Sequence, residues 1–161
     1  DMVISGMHSA PFASDWPTLL EQASALLEGE CDPVANAANL SALLFGALPD
    51  INWAGFYFLR SGELVLGPFQ GKPACVRIAL GKGVCGTAAQ EGATIVVDDV
   101  HAFPGHIACD AASNAELVVP LRRAGEVIGV LDVDSPRHAR FDEADRLGLE
   151  AIARLYVDSL G

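Results

Sequence analysis

Two short turns, Arg60-Ser61-Gly62 and Arg122-Arg123-Ala124-Gly125, each lie between two runs of strand-forming residues. Trp53 to Leu59 enters the first and Glu63 to Phe69 leaves it; Glu116 to Leu121 enters the second and Glu126 to Asp134 leaves it. Strands joined by so few residues pair antiparallel, because a parallel return needs a long crossover. Two further strands are expected. Cys75 to Leu80 alternates Cys75, Arg77, Ala79 against Val76, Ile78, Leu80, and Thr94 to Val97 is a short apolar run. Gly81-Lys82-Gly83 breaks the third strand, and Val84 to Glu91 reads as a short helix of small residues stopped by Gly92.

Helices flank these strands. Ser14 or Asp15 can cap a helix with Pro17 in its first turn and Leu19, Leu20, Ala23, Leu26 and Leu27 at three- and four-residue steps. Gly29 is its expected stop. Asp32-Pro33 repeats the start signal for a stripe of Val34, Ala37, Leu40, Leu43 and Leu44, ending at Leu48-Pro49-Asp50. Asp142 caps a last helix through Leu147, Ile152 and Leu155. The sum is an α+β domain with a mainly antiparallel sheet. Val100 to Asn114 has little periodicity and reads as a long loop with one helical turn; loops of that length are often functional.

Composition narrows the function. With 161 residues, 51% apolar and 19% charged, one folded domain is expected and disorder is excluded as the main state. No run approaches the roughly 18 apolar residues of a membrane helix. Ten Lys and Arg against 21 Asp and Glu leave a net charge of −11, which repels phosphate backbones and anionic lipid, so neither nucleic acid nor membrane is an expected partner. Asp1 to Met7 show no basic segment followed by an apolar run, so a cytoplasmic location with reduced thiols is expected. Residues 1–14 read as a variable N-terminal segment and 15–161 as a single domain.

Several side chains break the pattern. In the strand from Glu126 to Asp134, residues Glu126, Ile128, Val130, Asp132 and Asp134 share one face and Val127, Gly129, Leu131 and Val133 the other. Two carboxylates thus close an apolar face, where burial is costly without a partner. Two readings compete: the strand emerges into solvent at Asp132 and Asp134 caps the turn at Ser135-Pro136, or the acids line a site. The hairpin makes Glu116 an approximate cross-strand neighbour of Asp134, so three acids would gather at one end of the sheet. Such a cluster suits a small cation, and mutual repulsion would raise at least one pKa. Trp53, Gly55 and Tyr57 also share a face, either as core packing or as a hollow between an indole wall and a phenol hydroxyl.

The four cysteines, Cys31, Cys75, Cys85 and Cys109, form no C-x-x-C. Zinc held by Cys75, Cys85, Cys109 and His101 or His106 fits no common spacing, so no metal is expected. Cys109 lies in the long loop, as a reactive or a plain surface thiol. Cys85, among glycines, could be a packing residue, and Cys31 reads as incidental.

The runs Ile51-Asn52-Trp53-Ala54-Gly55-Phe56-Tyr57, Leu66 to Cys75 (LGPFQGKPAC), Gly81-Lys82-Gly83-Val84-Cys85-Gly86-Thr87, Gly105-His106-Ile107-Ala108-Cys109-Asp110, Ser113-Asn114-Ala115-Glu116 and Gly129-Val130-Leu131-Asp132-Val133-Asp134-Ser135 strongly resemble the free methionine-(R)-sulfoxide reductases. The resemblance covers about Ala35 to Leu160. It implies a GAF-like domain, with a six-stranded mainly antiparallel sheet, helices on one side and a ligand pocket on the other. It also implies reduction of free L-methionine (R)-sulfoxide, with thioredoxin as reductant and no cofactor, and leaves room for a homodimer. Carried over by motif, Cys109 is the nucleophile, Cys75 the resolving cysteine and Cys85 a secondary one. Trp53, Tyr57, Glu116, Asp132 and Asp134 match the substrate pocket. The rival functions are a GAF sensory module for a small ligand and a structural zinc protein.

Overall fold

The computed structural model describes residues 15–106 and 112–161. Helices α1 (Trp16–Leu27) and α2 (Pro33–Ala47) both start where an aspartate precedes a proline. The Asp15 carboxylate accepts from the Thr18 N–H at 2.8 Å, and that of Asp32 accepts from Val34 and Ala35 at 2.9 Å. Each cap satisfies donors that a first turn leaves over, and proline there forfeits no helical bond. Strands β1 (Trp53–Arg60) and β2 (Glu63–Gly71) follow, then β3 (Arg77–Ala79), α3 (Gly83–Glu91) and β4 (Ile95–Val97). A 3-10 turn at Val100–Ala102 precedes β5 (Ala115–Arg123), β6 (Glu126–Ser135) and α4 (Glu143–Ser159). Among these residues no helix is long and apolar enough to cross a membrane.

Both expected hairpins form. Ser61 and Gly62 close the first with φ of 52° and 84°, and Ala124 and Gly125 close the second with 52° and 81°. Two consecutive positive-φ residues give a turn whose twist matches that of the strands. The sheet order is β3-β2-β1-β6-β5-β4, every described neighbour antiparallel. The edges, β3 and β4, are three residues each, which limits pairing with other chains.

The third strand is shorter than its alternation predicts. Its ladder begins at Arg77, so Cys75 lies outside it. The Cys75 carbonyl instead accepts the Tyr57 hydroxyl at 2.8 Å, while the next carbonyl, that of Val76, still accepts the Leu66 N–H of β2 at 2.9 Å.

Alternation divides the sheet into two apolar faces. Ala54, Phe56, Leu117, Leu121, Leu131 and Val133 point to one, covered by α1, α2 and α4. There the Phe56 and Tyr156 rings lie 4.8 Å apart. Trp53, Tyr57, Val118 and Val130 point to the other, covered by α3 through Val84, Cys85, Ala88 and Ala89. Three helices thus pack one face, while the other carries a single short helix and a cavity.

The space beside Gly55 is filled, contrary to the reading of a hollow between two rings. A Cβ at Gly55 would stand 2.3 Å from the Phe69 Cβ, 2.8 Å from its Cα and 2.9 Å from the Trp53 ring. Gly55 pairs with Phe69 across β1 and β2, and the missing side chain lets Phe69 stack on Trp53 with ring centroids 5.2 Å apart. Because the obstacle is partly backbone, Gly55→Ala must spread β1 from β2. Equilibrium urea unfolding should show a loss of about 2–3 kcal/mol. An unchanged midpoint would mean that the strands part without cost.

Candidate active site

The site is built on successive rows of the sheet. Trp53, Asp134 and Glu116 are neighbours across β1, β6 and β5; in the next row Gly55, Asp132 and Val118 are neighbours. Both rows face α3. The three acids therefore meet as the strand parity and hairpin register predict, and the solvent-exposed reading of Asp132 is overturned, since it is 4% exposed. From α3, the Cys85 thiol reaches across and donates to the Glu116 carboxylate at 3.7 Å. Cys85 is buried, so it is a member of the site as well as a packing residue.

These groups line a cavity of about 60 Å³, together with Trp53, Tyr57, Asp134, Lys82 and His106. That is room for a few water-sized groups, on the scale of a small metabolite. Trp53 stacks on Tyr57 at 6.0 Å, so aromatic rings form one wall. Their polar ends point elsewhere: the Trp53 Nε1–H donates to the Lys72 carbonyl at 3.1 Å, and the Tyr57 hydroxyl to that of Cys75. The two rings thereby hold the segment between β2 and β3. Among the described residues, Cys75 is disulfide-bonded, whereas Cys31 and Cys85 are free thiols. Cys75 does not itself line the cavity, though Pro73 and Ala74 do. Cys109 lies outside the described residues. Cys31 is exposed, away from the site.

Electrostatically the cavity is strained. Burial, followed by the charges of Asp134 and Glu116, pushes the Asp132 carboxyl well above the ordinary carboxylate range. Burial and the Asp132, Glu116 and Asp134 charges push the Cys85 thiol up as well. Burial likewise raises Tyr57, with the Asp132 charge next. Asp132 Oδ1 is buried without a hydrogen-bond partner. Cys85 Sγ and one carboxylate oxygen each from Glu116 and Asp132 lie within 4.8 Å of one another, close enough to hold a metal ion.

This geometry sits in a chain with near relatives. Residues 37–160 match the GAF domain family. The chain is 56% identical to the free methionine-R-sulfoxide reductase of Escherichia coli, over 80% of this chain and 78% of that protein. The solved fRMsr of Staphylococcus aureus, in complex with substrate, is 50% identical with a TM-score of 0.89, covering 95% of this chain and 100% of that one. The free methionine-R-sulfoxide reductase of Neisseria meningitidis, also with its substrate, is 44% identical with a TM-score of 0.90, covering 95% of each chain. The chain belongs to the free methionine-R-sulfoxide reductase family.

For a member of the free methionine-R-sulfoxide reductase family, sequence reasoning left out two polar parts of this site. Lys82, in the N-cap position of α3, lines the cavity, whereas the sequence shows it only within the break after the third strand and within the run Gly81 to Thr87. Its position between two glycines at a helix start was the available signal. Ser113 is also on the wall and is hydrogen-bonded with the Asn52 amide. Both residues stand in runs that carry the resemblance, but nothing local pairs them across 61 positions.

The raised Asp132 fixes a pH dependence of stability. From the ordinary carboxylate value near about 4 up to its raised value, the folded chain keeps a proton that the unfolded chain has lost. The contribution is complete below both values, and stability falls as pH rises through the window. Asp132→Asn cannot ionise. It should flatten this slope and be more stable than the parent chain at pH 8, by about 1.4 kcal/mol for each pH unit that the window spans below that pH. Urea unfolding of both chains at pH 5 and pH 8 tests this; parallel slopes would remove Asp132 as the cause.

Proposed function

We propose that this chain reduces free L-methionine (R)-sulfoxide to L-methionine in the cytoplasm, with thioredoxin as the final reductant. The observation that carries the reading is a small acidic cavity in which a buried carboxylate oxygen lacks a partner, close to a disulfide-bonded cysteine. A cavity of this charge and size suits a compact ligand bearing an ammonium group and disfavours the phosphate of a cyclic nucleotide. The substrate's ammonium would sit among Glu116, Asp132 and Asp134. Its carboxylate would face Lys82 and the N-terminal turn of α3. Trp53 would bound the methyl group and select the epimer.

In this mechanism a Cys109 thiolate attacks the sulfoxide sulfur. An acid with a raised pKa, drawn from the Glu116, Asp132 and Asp134 cluster, protonates the departing oxygen. Methionine leaves, and Cys109 carries the oxygen as a sulfenic acid. The Cys75 thiol condenses with it, releasing water and forming a disulfide, which a thioredoxin dithiol opens by exchange. The disulfide-bonded state of Cys75 is the oxidised state that such a cycle passes through. Cys85 stays protonated as a hydrogen-bond donor to Glu116 in the main cycle.

Turnover with resolved epimers of free methionine sulfoxide, using dithiothreitol or thioredoxin, tests the reading directly. Only the R epimer should be consumed; equal rates for both, or none, would refute it. Cys109→Ser should release no methionine even in a single turnover, whereas Cys75→Ser should release up to one per chain and then recycle poorly with thioredoxin.

The acids also predict restriction to the free amino acid. N-acetyl-methionine sulfoxide lacks the ammonium and leaves the cluster uncompensated. Its kcat/KM should be at least about 100-fold lower, about 2.7 kcal/mol. Comparable values would show that the acids do not bind the ammonium.

A further inference from the structure

The cavity holds a donor set that the proposed reaction does not use as a set. Cys85 Sγ and Glu116 Oε2 are 3.7 Å apart, and both lie within 4.8 Å of an Asp132 oxygen. A tetrahedral zinc ion, with Zn–S of about 2.3 Å and Zn–O of about 2.0–2.2 Å, sets its S···O edge at about 3.6 Å. The second observation is independent of this clustering. Asp132 is 4% exposed and on the cavity wall, and its Oδ1 has no hydrogen-bond partner. The thiol is carried by α3 and the acids by adjacent strands, so regular elements hold the three donors before any ligand arrives. His106 and Asp134 line the same cavity and offer a fourth donor.

We propose that Cys85, Glu116 and Asp132 form a binding site for a thiophilic divalent cation of the zinc class, which shuts out the amino-acid substrate by taking the place of its ammonium. A sulfur among oxygens selects such an ion over Mg²⁺ or Ca²⁺, which take oxygen ligands. Binding is a simple exchange: the ion takes the Cys85 sulfur as thiolate, and the thiol proton leaves to solvent. The binding itself stands on the donor geometry; the exclusion of substrate rests on the proposed reductase reading.

Cobalt(II) serves as the probe, with the disulfide form of a Cys31→Ser chain, so that the exposed thiol and Cys75 are out of play. One equivalent should bind with a thiolate-to-cobalt charge-transfer band, and zinc should bleach the band. Cys85→Ser should abolish the band, and Asp132→Asn, a near-isosteric second variant, should weaken cobalt binding at least about tenfold. No binding in the parent, or a band that survives Cys85→Ser, would overturn the site. Free methionine (R)-sulfoxide should displace the cobalt; a bound metal that ignores it would overturn the exclusion. Metal-free turnover of the reduced chain, measured in parallel, reports on the reductase reading separately.

Discussion

A carboxyl group in the middle of an antiparallel sheet, with one oxygen unpartnered, is the feature on which the rest of this molecule turns. Asp132 is on β6, one of the two central strands, and its sheet neighbours are Gly55 and Val118. Nothing in that row can neutralise it. The groups closest in charge, Glu116 and Asp134, add repulsion. Such an arrangement persists only where other interactions outweigh it. Here the outweighing interactions are on the opposite face of the same strand, where Leu131 and Val133 are fully buried under helices. A central strand thus serves two purposes by parity: alternate residues hold the domain together, and the others bring carboxylates to the wall of a cavity.

The covering of that second face explains the scale of the cavity. Three helices close the first face, whereas among the described residues the second is covered by the short α3, with small residues such as Ala88 and Ala89 against the sheet, and by Val100 of the 3-10 turn. A short helix of small residues approaches closely, bringing Cys85 within reach of Glu116. The aromatic wall is fixed from the other side by Phe69, which has access to Trp53 only because position 55 lacks a side chain. The cavity is therefore bounded by close packing, with little slack for a large ligand.

Much of this was legible in the sequence because it depends on local rules. Asp32-Pro33 caps and starts a helix from its own side chains, and Ala124-Gly125 turns a strand. Period-two alternation puts Asp132 and Asp134 on one face, and the length of the second hairpin pairs Glu116 with Asp134. What stayed hidden depends on packing between distant segments. The side chain that fills the space over Gly55 belongs to another strand. The Cys85 thiol meets Glu116 only after α3 has docked, and the Cys75 carbonyl is taken by a hydroxyl 18 positions earlier. Alternation alone predicts no such competition for a carbonyl.

That hydroxyl has a consequence for how such a protein can change. Tyr57 and Trp53 are at once a wall of the cavity and the two anchors of the segment leading to Cys75. The shape of the cavity and the placement of a disulfide-bonded cysteine are therefore written in the same two side chains. Reshaping the pocket by exchanging either ring also slackens the cysteine segment, so evolution or a protein engineer has to alter both traits together, or build a new anchor first.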